Sequence, residues 1–257
     1  MIYDLQRASM WKRVSAWLLD AILLCVTATM MAWILSLVLN YDGYQQQFDA
    51  RCAYFEAEYG VSRNVTQAEI DAMTPEELSI VEAASTALAS DSEALYAWNM
   101  MIYLIIIMVS IGLLLAYLLL EFAVPLLLKN GQTVGKKIFG VAVMRTEGIR
   151  VNGVCMFIRT VLGKFAIETM IPIMMLLMLY FGAIGLPGLL IGGGIILLEV
   201  MLLLLTKDHS MIHDKLANTV TVDLASQLIF DTPEALIAYK QKIAAEKAAQ
   251  QSYYNPS

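Results

Sequence analysis

Four stretches of the chain are apolar for long enough to cross a bilayer: residues 14–39, 98–124, 165–181 and 186–205. A hydrocarbon core about 30 Å thick takes about 20 helical residues, so the pattern predicts four transmembrane helices. The last two are parted only by Gly182-Ala183-Ile184-Gly185-Leu186-Pro187-Gly188. This glycine-rich stretch predicts a tight turn at one membrane face, with one long kinked helix as the alternative. The first run is too long for a cleaved signal peptide and lacks a small-residue cleavage site before the next polar segment.

The polar segments between these runs carry their own signals. In residues 40–97, Thr74-Pro75-Glu76-Glu77 supplies an N-cap, a proline at the first helical position and a capping-box glutamate, and Ser90-Asp91-Ser92-Glu93 repeats the device ahead of the second span. One or two short helices are predicted there. In residues 129–164, a glycine-punctuated turn at Asn130-Gly131-Gln132-Thr133-Val134-Gly135-Lys136-Lys137 precedes Ile138-Phe139-Gly140-Val141-Ala142-Val143-Met144, whose β-branched content suits a strand. Thr146-Glu147-Gly148 turns the chain toward Ile149-Arg150-Val151, and Thr219-Val220-Thr221-Val222-Asp223 is a third strand candidate. An interfacial amphipathic helix over 154–164 is expected to lead into span three. Asp231-Thr232-Pro233-Glu234 starts an alanine-rich, charged helical tail.

Composition agrees with the pattern and excludes an ordinary soluble domain: 59% of residues are hydrophobic, 16% are charged and the mean hydropathy is +0.64. Charge asymmetry orients the chain. Residues 129–164 hold seven basic residues and one acid, while Arg7, Lys12 and Arg13 lie before the first span; these segments belong in the cytoplasm. Residues 40–97 hold two basic residues and eleven acids, so the whole chain's net charge of −6 comes from the outside loop. The expected fold is an all-α membrane protein of four transmembrane helices (1–230), with a helical acidic extracellular insertion (40–97) and a small cytoplasmic β-sheet with its amphipathic helix (129–164). A cytoplasmic helical tail follows (231–257), and both termini lie inside. Attraction to anionic lipid accounts for the basic loop without nucleic acid. Cys25, Cys52 and Cys155 fall in three different compartments, so no internal disulfide is expected.

Acidic residues inside the apolar runs are the candidate chemistry. An ionised group within a bilayer costs about 2.5–3.5 kcal/mol on insertion scales and normally faces a partner or water. Asp20 lies seven residues after Arg13, nearly two helical turns and about 10 Å along one face. Glu121 comes eight before Lys129, Glu168 four after Lys164 and Glu199 eight before Lys207, so all four carboxylates fall within about 12 Å of the inner face. Such a layer could hold a monovalent cation or exchange it for protons. The structural alternatives are that Glu168 favours a helix start, that Glu121 reaches the headgroups, and that Asp20 locks helices together through Arg13 or Arg159.

Other motifs are weaker. His209, His213 and Asp214 fall short of a zinc set, because no cysteine or third histidine supports them. No serine sits in a nucleophile turn, so no enzyme and no cofactor is expected. Gly131, Gly135 and Lys136 lack the spacing of a phosphate loop. The methionines of span three and Gly188, Gly192, Gly193 and Gly194 are packing features, the glycines letting another helix or a second subunit approach closely.

Arg13, Ala16 and Asp20 in the first span, Gly131-Gln132-Thr133-Val134-Gly135-Lys136-Lys137 after the second, Arg159 before the third, and Ile212-His213-Asp214-Lys215-Leu216-Ala217-Asn218-Thr219 after the last resemble the RDD family of bacterial membrane proteins. The one arginine and two aspartates of that family's name are matched by Arg13, Asp20 and Asp214. The resemblance covers most of the chain, leaving out the acidic outer loop and the tail beyond Asp223. It implies transport of unidentified ligands, with sodium/proton exchange linked to some members.

The readings that follow are a small secondary transporter for a monovalent cation, with Arg13, Asp20, Glu121, Glu168, Glu199 and Asp214 as candidate site residues, and a non-transporting scaffold or accessory subunit. A membrane-embedded enzyme or lipid-binding protein is the third. Four spans without an inverted repeat have no evident alternating gate unless two copies assemble, so transport implies a homo-oligomer and scaffolding implies another membrane subunit.

Overall fold

The computed structural model describes residues 6–128, 130–180, 182, 185–205 and 210–254. Three of its helices are long and apolar enough to span a membrane: α1 (Met10–Val38), α5 (Ser92–Leu127) and α7 (Gly153–Tyr180). A fourth apolar helix, α8 (Leu186–Leu205), is shorter in its described apolar part, Leu186–Leu202. Among the described residues, three of the four expected spans are thus present at full length. The turn read between spans three and four falls partly on residues 181, 183 and 184, outside the described residues, as does His209.

The chain forms two compact units. One is Thr29–Gly112; the other is the remainder of the described chain, and α1 and α5 contribute to both. In the first unit lie α2 (Tyr41–Tyr59), α3 (Gln67–Ala72) and α4 (Pro75–Ser90). The capping box expected at Thr74 and Glu77 is present, and a second one forms at Thr66 and Glu69. The third differs: Ser90 ends α4, and Asp91 caps α5 by accepting the Ala94 N–H at 2.7 Å. A carboxylate is the better acceptor for orphan N–H groups beside a helix's positive end. Asp91 also takes two bonds from Arg51, Nε to Oδ1 at 3.0 Å and Nη2 to Oδ2 at 2.5 Å, and the guanidinium lies 4.9 Å from the Tyr54 ring centre. The insertion is a clasped helical hairpin rather than one or two short helices.

In the second unit, α6 (Val134–Ile138), β1 (Val141–Arg145), α9 (Ile212–Leu216) and β2 (Thr219–Asp223) gather at one end of α5 and α7. The strands pair antiparallel with Val143 opposite Thr221. Because side chains alternate across a strand, Ala142 and Met144 pack with Val220 and Val222 on one face, while Val143 packs with Val151, Met156 and Phe122 on the other. Both faces being covered explains the unbroken burial of Val141, Ala142, Val143 and Met144. Ile149 and Arg150 make single bridges only, to Phe230 and Met144, so the sheet has two strands rather than three. The tail forms α10 (Pro233–Tyr254), capped by Thr232 as its sequence predicts.

Helix α7 also departs from expectation. Residues 154–164 are not a separate interfacial helix but the start of one continuous helix, widened to π geometry over Ile158–Met170. A second π stretch, Leu118–Ala123, interrupts α5.

Candidate functional site

The π stretches carry the site. An α-helix rotates residues five apart by about 140° relative to each other. The i→i+5 bonding of a π-helix stacks them instead, which brings Arg159 and Lys164 onto one face of α7. Opposite, Pro125 lacks the N–H that would bond the Glu121 carbonyl in an α-helix, and Thr160 Oγ1 donates to that carbonyl at 2.9 Å. This bond pins the two widened segments together. Gly163 lets α9 lie against α7, since a Cβ there would stand 2.4 Å from His213 Cβ and 2.6 Å from its Cα.

Around this junction a cavity of about 320 Å³ is lined by Arg13, Asp20, Glu121, Lys136, Arg159, Lys164, His213 and Asp214, with apolar walls from Met10, Val14 and Trp17. Each acid has a defined place. Asp214 and Arg159, each 2% exposed, form a direct ion pair, and Arg159 Nη1 also donates to Thr219 Oγ1 at 2.7 Å. Arg159 holds the Asp214 carboxyl well below the usual carboxylate range against the opposing cost of burial, with Arg13 adding to the effect. Glu121 accepts from Lys164 at 2.7 Å, and Lys136 Nζ stands 4.0 Å away.

Asp20 is held differently. Its Oδ1 accepts the Gly135 backbone N–H at 2.8 Å and its Oδ2 accepts the Thr133 hydroxyl, while Lys136 Nζ is 3.9 Å off. Thr133 in turn accepts the Lys136 N–H at 3.3 Å and caps α6. The aspartate of the first span therefore docks the loop after the second. The fit needs glycine at 135, because a Cβ would come within 2.3 Å of the Ala16 carbonyl oxygen. Arg159, one of the two arginines weighed as partners for Asp20, is engaged with Asp214. Arg13 also lines the cavity and feels the charges of both Asp214 and Arg159.

Glu168 accepts from the His213 backbone N–H at 2.8 Å, and its carboxylate lies 2.7 Å from His213 Nδ1. Since a carboxylate only accepts, Nδ1 carries the hydrogen. Burial, with the Arg159 charge, pushes the imidazole pKa down and outweighs the raising pull of Asp214 and Glu168, which favours the neutral ring over the imidazolium. Its Nε2 stands 3.6 Å from Asp214 Oδ2. Glu199 on α8 lies close enough to Glu168 for the two carboxyls to interact, and its Oε1 is buried with no hydrogen-bond partner among the described residues.

Of the six residues singled out from sequence, Arg13, Asp20, Glu121 and Asp214 line the cavity, and Glu168 adjoins it through His213. Among the described residues, Glu199 reaches the cluster at Glu168. Thr133, Lys136, Lys164 and Thr219 also belong to the arrangement, and nothing in their local sequence marks them as partners of residues on other elements.

These features define a helical membrane protein with several apolar helices and a buried charge cluster where its short β-sheet meets the helix ends. The chain belongs to the RDD family, whose profile matches residues 7–218. Neither a curated protein nor a solved structure matches it.

Proposed function

We propose that this RDD-family protein is a small secondary transporter of the cell membrane, a carrier rather than an enzyme, that exchanges a monovalent cation for protons at Glu168 and Glu199. In this reading α8 is the fourth span and both termini are cytoplasmic, the basic segments lying inside. The observation that carries it is the buried Glu199 Oε1, which lacks a bonding partner among the described residues and belongs to a carboxyl group beside that of Glu168. Two adjoining carboxyls hold one proton or one cation more readily than two bare charges. The remaining acids have bases or N–H donors of their own, which gives them the work of positioning α7 and α9. Two copies of the chain would supply the alternating access that four spans lack.

The alternative, a non-transporting scaffold or accessory subunit, draws on the same pairing: Arg159 with Asp214 and Lys164 with Glu121 are arrangements that hold helices together. Sodium- and proton-coupled flux in proteoliposomes separates the two. Exchange requires that flux exceed that of empty liposomes and fall at least tenfold in Glu199→Gln and Glu168→Gln, a threshold corresponding to about 1.4 kcal/mol. No flux of sodium, lithium or potassium from folded protein assigns the chain to the scaffold reading.

A further inference from the structure

The cavity holds a cation that exchange at Glu168 and Glu199 does not use. Among the described residues, Arg13, Lys136, Arg159 and Lys164 line it together with Asp20, Glu121 and Asp214. Arg159 is engaged by Asp214 and Lys164 by Glu121, both in direct contact. Lys136 is not so placed. Among the described residues, its ammonium, on a side chain 12% exposed, has carboxylates only at 3.9 and 4.0 Å, beyond hydrogen-bonding distance, and one hydrogen bond, to Thr133 Oγ1 at 3.3 Å. An ammonium has three donors, and a buried one without a contact counterion is costly.

The remaining wall says what kind of anion fits. Met10, Val14 and Trp17 recur at helical spacing on α1, line the cavity, and are 41%, 45% and 60% exposed. The cationic interior is thus continuous with the apolar outer face of a membrane-spanning helix. A wholly hydrophilic anion would find no use for that wall, whereas an amphiphile would have its head at Lys136 and its chain along α1.

We propose that this cavity binds the phosphate head of an anionic membrane lipid, with Lys136 facing the phosphate and Met10, Val14 and Trp17 facing the acyl chain. Lys136 is the discriminating residue, because the groups facing it are Asp20 from α1, Glu121 from α5, and Arg159 and Lys164 from α7. Burial and the two neighbouring cations bring its pKa down to about 8, so lipid affinity falls as pH rises through that value.

The test is thermal stabilisation of the full-length detergent-solubilised protein titrated with phosphatidylglycerol, phosphatidylcholine or inorganic phosphate. Phosphatidylglycerol is expected to stabilise selectively. Its apparent affinity should fall roughly tenfold or more in Lys136→Gln, the loss of one charge-assisted bond, and stay unchanged in Lys137→Gln, an exposed neighbour. Should Lys136→Gln not fold, the unaltered protein still decides the matter, since its phosphatidylglycerol response must weaken between pH 7 and 9. Equal stabilisation by both lipids, equal loss in the two lysine variants, or a response flat across that pH range overturns the proposal. Inorganic phosphate matching phosphatidylglycerol overturns the lipid source and makes the ligand a soluble anion. The outcome is independent of Glu199 and flux.

Discussion

Replacing Arg159 with methionine would leave the Asp214 carboxylate buried without its direct partner. Breaking one side of a buried pair typically costs about 3–5 kcal/mol, whereas replacing both members with apolar groups of similar volume is often neutral. Arg159→Met is therefore expected to lower the thermal midpoint strongly, and Arg159→Met/Asp214→Leu to recover much of the loss, because no buried charge is left unpaired and the Thr219 hydroxyl, though it loses Arg159 and the Asp214 carboxylate, keeps the Asp214 backbone carbonyl within 3.5 Å. Thermal unfolding of the single and double variants in one detergent checks this; a double variant worse than the single would show that the pair is net stabilising. Asp20 behaves otherwise. Its work is done by acceptor oxygens on an N–H and a hydroxyl, so Asp20→Asn, which retains one carbonyl oxygen for Gly135, should cost about 1 kcal/mol and Asp20→Ala about 2–3.

Among the elements, close backbone approach decides the packing of α7 against α9. Gly163→Ala would set a methyl against His213 Cβ and Cα, which cannot swing aside as a flexible side-chain end can. Overpacking of this kind costs about 1–3 kcal/mol, and the displaced α9 would carry His213 away from Glu168 and Asp214 away from Arg159. The atoms nearest the same methyl at Gly192 belong to the flexible end of the Met175 side chain, so Gly192→Ala should be milder; comparing the two variants' unfolding midpoints tests the distinction. The apolar runs behind α1, α5 and α7 were legible because membrane helices announce themselves by length. So were the caps at Thr74 and Thr232, whose partners lie three residues away. The partners of Asp20 were not, since Thr133 stands 113 residues distant. The π widening of α7 was hidden too: residues 158–170 have no proline or other local mark of i→i+5 bonding, and only the geometry shows Arg159 and Lys164 on one face. Ile149 read as a strand because β-branched residues suit one, yet its partner Phe230 arrives from beyond β2 and makes a single bridge.

At the scale of the whole molecule, the titrating groups outside the spans set a pH profile of stability that rises with pH at both its acid and its alkaline end. His213 is held below its ordinary pKa of 6.5. As pH falls below that value the unfolded chain binds a proton that the folded chain refuses, and stability declines until pH has passed through the folded pKa. Asp214 is likewise depressed, from 3.8, so its stabilisation is present above that pH and disappears only in stronger acid. Lys136 acts in the same direction at the alkaline end. Between about 8 and 10.5 the unfolded chain holds a proton that the folded chain has released, so this residue makes stability rise with pH across that window. Thermal midpoints of the unaltered protein should therefore drop from pH 6.5 to 5, and His213→Gln, whose amide can still donate to Glu168, should flatten that drop while leaving the limb below pH 4. In alkaline solution Lys136→Met should remove the rise above pH 8, because no proton is left to be released. A fall between pH 6.5 and 5 that survives His213→Gln would place the acid sensitivity on another group and leave the Glu168–His213 contact without a role in it.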